Sequence, residues 1–532
     1  MIGQLDGKSI ARALLCLTVS VLCSCAQLPK DYQREQTAHF TDTADTELGA
    51  RSHRARDGRS ERCRIVPFAD GVDAFLARVA LAQLAERSLD MQYFLWHEDL
   101  TGQVLLGFVL DAADRGVRVR LLLDDLDNQS LDEELYALDR HPNITVRLFN
   151  PFATRGFKYV DFFTDTSRVN RRMHNKSFTA DNQFAILGGR NIGDEYFDAR
   201  EDQNFYDYDA LVSGPVVERV SEAFDLYWNH EMAVPVHAFD HNDATDADLD
   251  ALRVRLKAFL EANRDSQYAV DLDKSELAAA LRNPHHVELY DFFGDAQVIY
   301  DHPDKVLGKS PGESTSMGDL VWPRLRAAKR EIVAISPYYV PGDRGVEAAI
   351  EFVEEGLDTV VITNSYGSTD SSVVHAGYSR YREPLLAGGV KIFELKPSSR
   401  RPRRKGSVAY DSAARLHTKI FVIDRETVFI GSLNLDPRSI DINTEIGVLF
   451  DSPELAKIML SRLGTEGLEH VYRLELVRSP SESKGEFTTY TWNIEWIEQM
   501  DGETVHYTSE PEVGAWDSLK LFLLGFVPES QI

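Results

Sequence analysis

The chain has 532 residues, a formal net charge of −27 and 43% hydrophobic residues, so it exceeds a single hydrophobic core and has ordinary globular apolar content. An acidic balance of that size excludes nonspecific nucleic-acid binding driven by a broad basic field. Of four cysteines, Cys16, Cys23 and Cys25 crowd the N-terminus and only Cys63 lies beyond them, which excludes a disulfide framework or a cysteine-based zinc site in the remainder.

Lys8 and Arg12 precede a short apolar run, ALLCLTVSVL, that is too brief to span a membrane, and Leu22-Cys23-Ser24-Cys25 resembles a bacterial lipoprotein cleavage box with Cys25 as the lipidated residue. Residues 1–24 then read as a signal peptide, and the protein as anchored in the cell envelope facing the periplasm, on the outer or inner membrane. A plain signal peptide or an uncleaved peripheral helix is the alternative. Residues 25–63 are polar, with few apolar anchors and most of the six arginines found between 51 and 64, and read as a flexible tether.

Beyond the tether the chain repeats itself. In the first half the apolar strand LDMQYFLW is followed by a helical run to Arg115, then Gly116 and the buried-strand run VRVRLLL. In the second, EIVAISPYYV is followed by a helical run to Glu355, then Gly356 and LDTVVIT. The two glycines stand at matching helix-stop positions. ITVRLF and VKIFEL follow at corresponding places. Strands alternating with helical stretches predict two α/β lobes, 64–235 and 287–475, with largely parallel sheets. Between them, 236–286 is rich in Asp, Ala and Leu and reads as a connector. The segment Arg155 to Val169, with its FKYVDFF, either lines an entrance for apolar chains or packs beneath the motif that follows. In 476–532, FTTYTWNIEWIEQ and TVHYTSE predict a hairpin around Asp501-Gly502, and WDSLKLFLLGFV an apolar tail expected to bury against the second lobe, with dipping into a lipid interface as the alternative.

Each lobe carries one copy of a catalytic pattern. The first is His174, Lys176, Asp181, Gly188, Gly189 and Asn191; the second is His417, Lys419, Asp424, Gly431, Ser432 and Asn434. Each reads as a strand, on which His and Lys two residues apart project from one side and set a nucleophile beside a cation. A phosphodiester resists attack until its non-bridging oxygens are neutralised, a nucleophile is supplied and the leaving oxygen is protonated. Lys176, Lys419, Asn191 and Asn434 supply donors, one imidazole can attack phosphorus, and the other can protonate the leaving alcohol. Histidine suits both tasks because its ordinary pKa of about 6.5 lies near working pH. No Walker loop and no Gly-x-Ser-x-Gly elbow is present, so no cofactor and no metal is expected.

These residues, within RMHNKSFTADNQFAILGGRNIGDEYF and LHTKIFVIDRETVFIGSLNLDPRSIDINTEIGV, together with NFYDYDALVSGPVV and VVHAGYSRYREPLLAGGVKIFEL, resemble the phospholipase D superfamily and most closely its C-type cardiolipin synthases. The resemblance runs from near position 60 to the C-terminus. It implies two pseudosymmetric α-β-α lobes with the active site between them. It also implies that Asp207 orients the histidine of the first half and Glu445 that of the second, with Asp209 as the competing candidate for the first. It makes His174 the nucleophile and His417 the general acid and base, gives Asp181 and Asp424 an orienting role, and lets the glycines and Ser432 bring backbone close to the catalytic strands. Gly189 replaces the more usual serine, as in cardiolipin synthases. The expected activity is phosphatidyl transfer to phosphatidylglycerol, with phosphatidylglycerol or phosphatidylethanolamine as donor, by a monomer working at a membrane surface. Hydrolysis to phosphatidic acid and a periplasmic phosphodiesterase or nuclease activity are the alternatives. A basic loop, Arg400, Arg401, Arg403, Arg404 and Lys405, either holds anionic headgroups or is a solvated loop.

Overall fold

Short runs of β-branched and aliphatic residues form the strands of a sheet that passes unbroken through both lobes. The computed structural model describes residues 28–529 apart from 57, 60, 128–130, 241, 283–289, 309–315, 398–412, 464–469, 485–486 and 501–502. In the first lobe the strands are β1 (Cys63–Phe68), β2 (Ser88–Tyr93), β3 (Arg118–Asp124), β4 (Ile144–Phe149), β5 (Ser177–Ala180), β6 (Phe184–Gly188), β7 (Gln203–Tyr206), β8 (Asp209–Ser213) and β9 (Ala233–Pro235). In the second they are β10 (Phe292–Tyr300), β11 (Glu331–Ile335), β12 (Asp358–Asn364), β13 (Lys391–Leu395), β14 (Ala413–Leu416), β15 (Ile420–Ile423), β16 (Thr427–Gly431), β17 (Ile446–Asp451), β18 (Val471–Lys484), β19 (Phe487–Met500) and β20 (Glu503–Tyr507).

Eighteen of these strands make one sheet in the order β9-β4-β3-β2-β5-β6-β8-β1-β10-β17-β16-β15-β11-β12-β13-β18-β19-β20. The α/β class and the duplicated arrangement are as expected, but the largely parallel pairing is not. Within this sheet, among the described residues, only β2-β3-β4 and β11-β12-β13 run parallel. The reason lies in the motifs: Asp181-Asn182 and Asp424-Arg425 take φ values of 50°, 50°, 56° and 60°, left-handed pairs in tight turns that leave only 181–183 and 424–426 between paired residues. Each motif strand therefore folds straight back on its successor, β5 on β6 and β15 on β16.

Gly116 and Gly356, at φ 96° and 91°, end the helices Leu100–Asp114 and Gly342–Glu354 where the sequence placed them. Aliphatic residues from both lobes share one core: Leu187, Tyr208 and Ala210 pack with Ile420, Ile430, Ile446 and Val448. At about 1.5–3 kcal/mol for each large apolar side chain buried, this shared cluster holds the lobes in register around whatever lies between them.

Two segments packed on the first lobe depart from the sequence reading. Described residues before 63 are not a free tether. Thr37 accepts from buried Arg120 and from the Trp228 indole, His39 pairs with Asp225, and Leu48, in the helix Glu47–Arg56, is buried. Their oxygens add partners to Arg120 and Arg147, which Asp90 and Trp228 O of the first lobe also hold, and composition does not reveal this. The helix Asp246–Asn263 of the connector buries Leu249, Leu252 and Leu256 in the first lobe's core rather than bridging the lobes. The strands β19 and β20 form a hairpin, with Met500 opposite Glu503 on either side of 501–502. Cys63 is a buried free thiol whose pKa is raised chiefly by burial, which fits a bystander. Cys25 and the loop 400–405, including Arg403 and Arg404, lie outside the described residues.

Candidate active site between the lobes

The parallel strands end at the cleft, and their last residues fix the backbone that enters each motif. Asp124, closing β3, accepts from the Met173 amide at 2.8 Å. Asn364, closing β12, accepts from the Leu416 amide at 3.1 Å. Each polar group thus grips the residue before a motif histidine. Their signal was visible, since VRVRLLLD and DTVVITN end alike, but neither residue was singled out from sequence.

The histidines and lysines lie just ahead of β5 and β15 rather than within them, in extended segments that pair across the lobe boundary. The His174 amide donates to Thr444 O at 2.9 Å, and the His417 amide to Tyr206 O at 2.9 Å. The latter contact extends the parallel pairing of β14 with β7. Thr444 and Tyr206 immediately precede Glu445 and Asp207, so each histidine meets the carboxylate of the opposite lobe. His174 Nδ1 lies 2.8 Å from Glu445 Oε2 and 3.0 Å from Oε1; His417 Nδ1 lies 2.6 Å from Asp207 Oδ2. This reverses the assignment of Asp207 to the first histidine and Glu445 to the second. The competing Asp209 is an ion-pair partner of Arg78 at 2.9 Å and touches neither imidazole.

All these groups are buried, with His174 and His417 8% and 7% exposed. Burial drives the His174 imidazole down to about 4, against the pull of Glu445. Burial, with Lys419 beside it, also lowers His417. Burial would raise Glu445 and Asp207, but the paired imidazoles and nearby lysines outweigh it and keep both ionised below their usual range. With each carboxylate accepting Nδ1–H, the Nε2 lone pair of either ring is left for chemistry. Lys176 Nζ and Lys419 Nζ donate to the carbonyls of their own histidines, at 2.6 and 2.5 Å. Burial lowers both ammonium groups, Lys419 to about 8. Phe94 stands edge-on to His174, and Tyr196 and Phe205 flank His417.

The small residues of the motifs make room for the carboxylates. A Cβ on Gly189 would lie 2.4 Å from Asp207 Oδ1, and one on Gly188 2.1 Å from Asp209 Oδ1. Gly431 abuts Gly447 on the neighbouring strand at the same level. Ser432, the counterpart of Gly189, donates to Glu445 Oε2 at 2.5 Å. The asparagines differ. Asn191 is tied to the Leu95 amide and the Tyr196 hydroxyl, whereas the buried Asn434 Oδ1 has no partner among the described residues.

Asp181 and Asp424 sit at the far ends of their strands, as expected of orienting residues. Asp181 accepts from the amides of Glu86, Arg87 and Ser88, and Asp424 from those of Lys329, Arg330 and Glu331. Each clamps the start of the adjacent β2 or β11 against the motif hairpin. The amides at Asp181 are part-buried or buried while most of those at Asp424 are exposed, so water replaces the second carboxylate more readily. Asp181→Ala is expected to lower unfolding free energy by about 2–4 kcal/mol and Asp424→Ala by about 1 kcal/mol; denaturant unfolding checks both, and equal losses would contradict the burial argument.

A sequence model of the family described as "Cardiolipin synthase, PLD-like domain" matches residues 79–228 and 321–464, one stretch in each lobe. The chain belongs to this family. The phospholipase D-like fold accounts for the paired motifs and for their meeting at the lobe boundary. Cardiolipin synthase C of Escherichia coli is 37% identical over 88% of this chain and 95% of its own length. An uncharacterized protein of Helicobacter pylori is 33% identical over 83% of this chain and 84% of its own. The crystal structure of phosphatidylserine synthase from Haemophilus influenzae superposes with a TM-score of 0.50 at 13% identity, covering 78% of this chain and 89% of that one, which is a likeness of fold.

Proposed function

We propose that the protein is a phosphatidyltransferase that makes cardiolipin from phosphatidylglycerol and a phospholipid donor, phosphatidylglycerol itself or phosphatidylethanolamine. The observation that carries this reading is the reciprocal pairing of two histidines with two carboxylates beside two buried lysines. His174 Nε2 attacks the donor phosphorus while protonated His417 gives its proton to the leaving alcohol oxygen, forming a phosphatidyl-histidine and breaking the P–O bond. Neutral His417 then takes the proton of the acceptor hydroxyl, whose oxygen displaces His174 from phosphorus. Lys176 and Lys419 supply positive charge to the non-bridging oxygens. The bacterial relatives named cardiolipin synthase support the choice of acceptor, and the lipobox at Cys25 supports anchoring at the envelope. Both motifs stand in one chain, which supports a monomer.

Lipid mass spectrometry on the full chain with vesicles of phosphatidylglycerol, with and without phosphatidylethanolamine, tests the reading against His174→Ala. Cardiolipin formed only by the wild type supports it and its dependence on the mixture names the donor; phosphatidic acid without cardiolipin makes the protein a hydrolase, and no lipid product overturns both.

The buried imidazoles set a pH profile. His174 attacks only when neutral, so kcat/KM rises as pH climbs through about 4. His417 must be protonated, and because its pKa is lowered from 6.5, the alkaline limb is expected on the acid side of that value. An activated aryl leaving group, which departs without a proton, should remove the alkaline limb and leave the acid one. An unchanged bell would contradict the assignment.

A further inference from the structure

We infer that the C-terminal helix, Ala515–Leu524, is a lipid-inserting element that seats the active-site edge of the second lobe on a bilayer. The sequence reading expected this tail to bury, and the structure turns it outward. Trp516, Phe522 and Phe526 are 83%, 65% and 71% exposed, and Leu519 and Leu523 are 48% and 59% exposed. At 100° per residue these five fall within an arc of about 120°. Asp517, Leu521 and Leu524 occupy the opposite side and are only partly exposed. The usual pattern of a surface helix, polar outward and apolar inward, is replaced by an apolar stripe on the solvent side, which is the pattern of a helix lying in a lipid interface.

Two further observations select a lipid surface as the occupant. The stripe is one helix wide and about 15 Å long at 1.5 Å per residue, five large side chains against the roughly 20–30 residues a side of a stable protein interface. Within the stripe's own turns the charged residues are Asp517, which accepts from the Tyr366 hydroxyl, and Lys520, which reaches Ser372 Oγ.

The same contacts tie the helix to the catalytic groups. Tyr366 and Ser372 belong to the segment that leaves β12 just after Asn364. That segment also carries Asp370, which accepts from the Tyr338 hydroxyl and whose charge acts on His417 and Lys419. Farther along, Arg380 Nη2 holds Gly525 O, and Glu529 pairs with Arg380 and Tyr381. The stripe is thus carried rigidly at the edge where the motifs lie. No helix among the described residues is long and apolar enough to cross a membrane, so the contact is one of lying in the interface.

The inference rests on a phospholipid being the substrate, and its test is separable from turnover. The full chain is mixed with vesicles of phosphatidylglycerol and phosphatidylethanolamine carrying brominated acyl chains, and tryptophan quenching is compared with Trp516→Phe, one of six tryptophans having been removed. Quenching that is mostly lost in the variant supports insertion even where no cardiolipin forms; no quenching in the wild type, or equal quenching in both, overturns it. Leu519→Ser with Phe522→Ser should lower turnover on vesicles at least about tenfold and leave turnover on dispersed short-chain phosphatidylglycerol unchanged. Equal loss on both substrates, or on neither, counts against the helix. A wild-type dimer that Phe522→Ser splits, with no quenching of Trp516, would assign the stripe to a second copy instead.

Discussion

With His174→Ala, transfer is expected to fall at least about 10⁴-fold and no phosphatidyl-enzyme adduct to accumulate, while unfolding stays cooperative. In the proposed reaction the imidazole supplies the attacking atom, and no neighbouring group among the described residues replaces it: Glu445 is held by Ser432 and by the Asp301 region through its backbone, and the lysines point to carbonyls. His417→Ala should match that loss on phosphatidylglycerol for a different reason, since the leaving alkoxide then departs without a proton. A donor with a nitrophenol leaving group separates the two. The His417 variant should still form the adduct in a rapid burst and then stall, because the acceptor alcohol has no base, and the His174 variant should form none. The opposite pattern would make His417 the nucleophile, and near-normal transfer in either variant would sink the two-histidine mechanism.

Glu445→Gln and Asp207→Asn should each cost about 10³-fold in kcat, and each through the histidine of the other lobe. A carboxylate accepting Nδ1–H fixes the tautomer and stabilises the imidazolium that forms during reaction; an amide of the same shape does neither and can present a donor to the ring. Glu445→Gln is therefore expected to slow adduct formation at His174, and Asp207→Asn to slow its resolution through His417. The pairing is read from a double variant: Glu445→Gln added to His174→Ala should lower the residual rate little further, whereas Asp207→Asn added to the same background should lower it more. Gly189→Ser should resemble Asp207→Asn, since even the Cβ would collide with that carboxylate. If instead Glu445→Gln acted through His417, the crossed geometry would be wrong.

The chemistry was legible because it dictates residue types at fixed spacing. Two copies of one His-x-Lys pattern have no packing explanation, and the turn residues Asp181 and Asp424 announced themselves as structural by lying at the ends of their strands. The crossing was not legible. Asp207 and Glu445 each follow a histidine of their own lobe at a similar distance, so sequence order favours the uncrossed pairing, and only the hydrogen bonds from His174 to Thr444 O and from His417 to Tyr206 O bring the other carboxylate within reach. The antiparallel hairpins were hidden for a related reason: Asn182 and Arg425 adopt positive φ without glycine to signal it. The C-terminal helix misled because apolar composition alone does not say whether core or lipid receives it; Asp517 and Leu521, which turn inward, decide its rotation.

Because β1 joins β10 and each motif histidine meets the other lobe's carboxylate, neither half of the chain holds a complete histidine–carboxylate pair. Each lobe contains a histidine with no acid to steer it and an acid with no histidine to steer. After the duplication that the repeat records, the halves were therefore bound to one another's history: a drift in the segment 204–207 is felt at His417, and one in 443–445 at His174. Separated halves should regain activity only as a reconstituted pair, and swapping in one lobe from a distant relative should fail unless the partner strand travels with it.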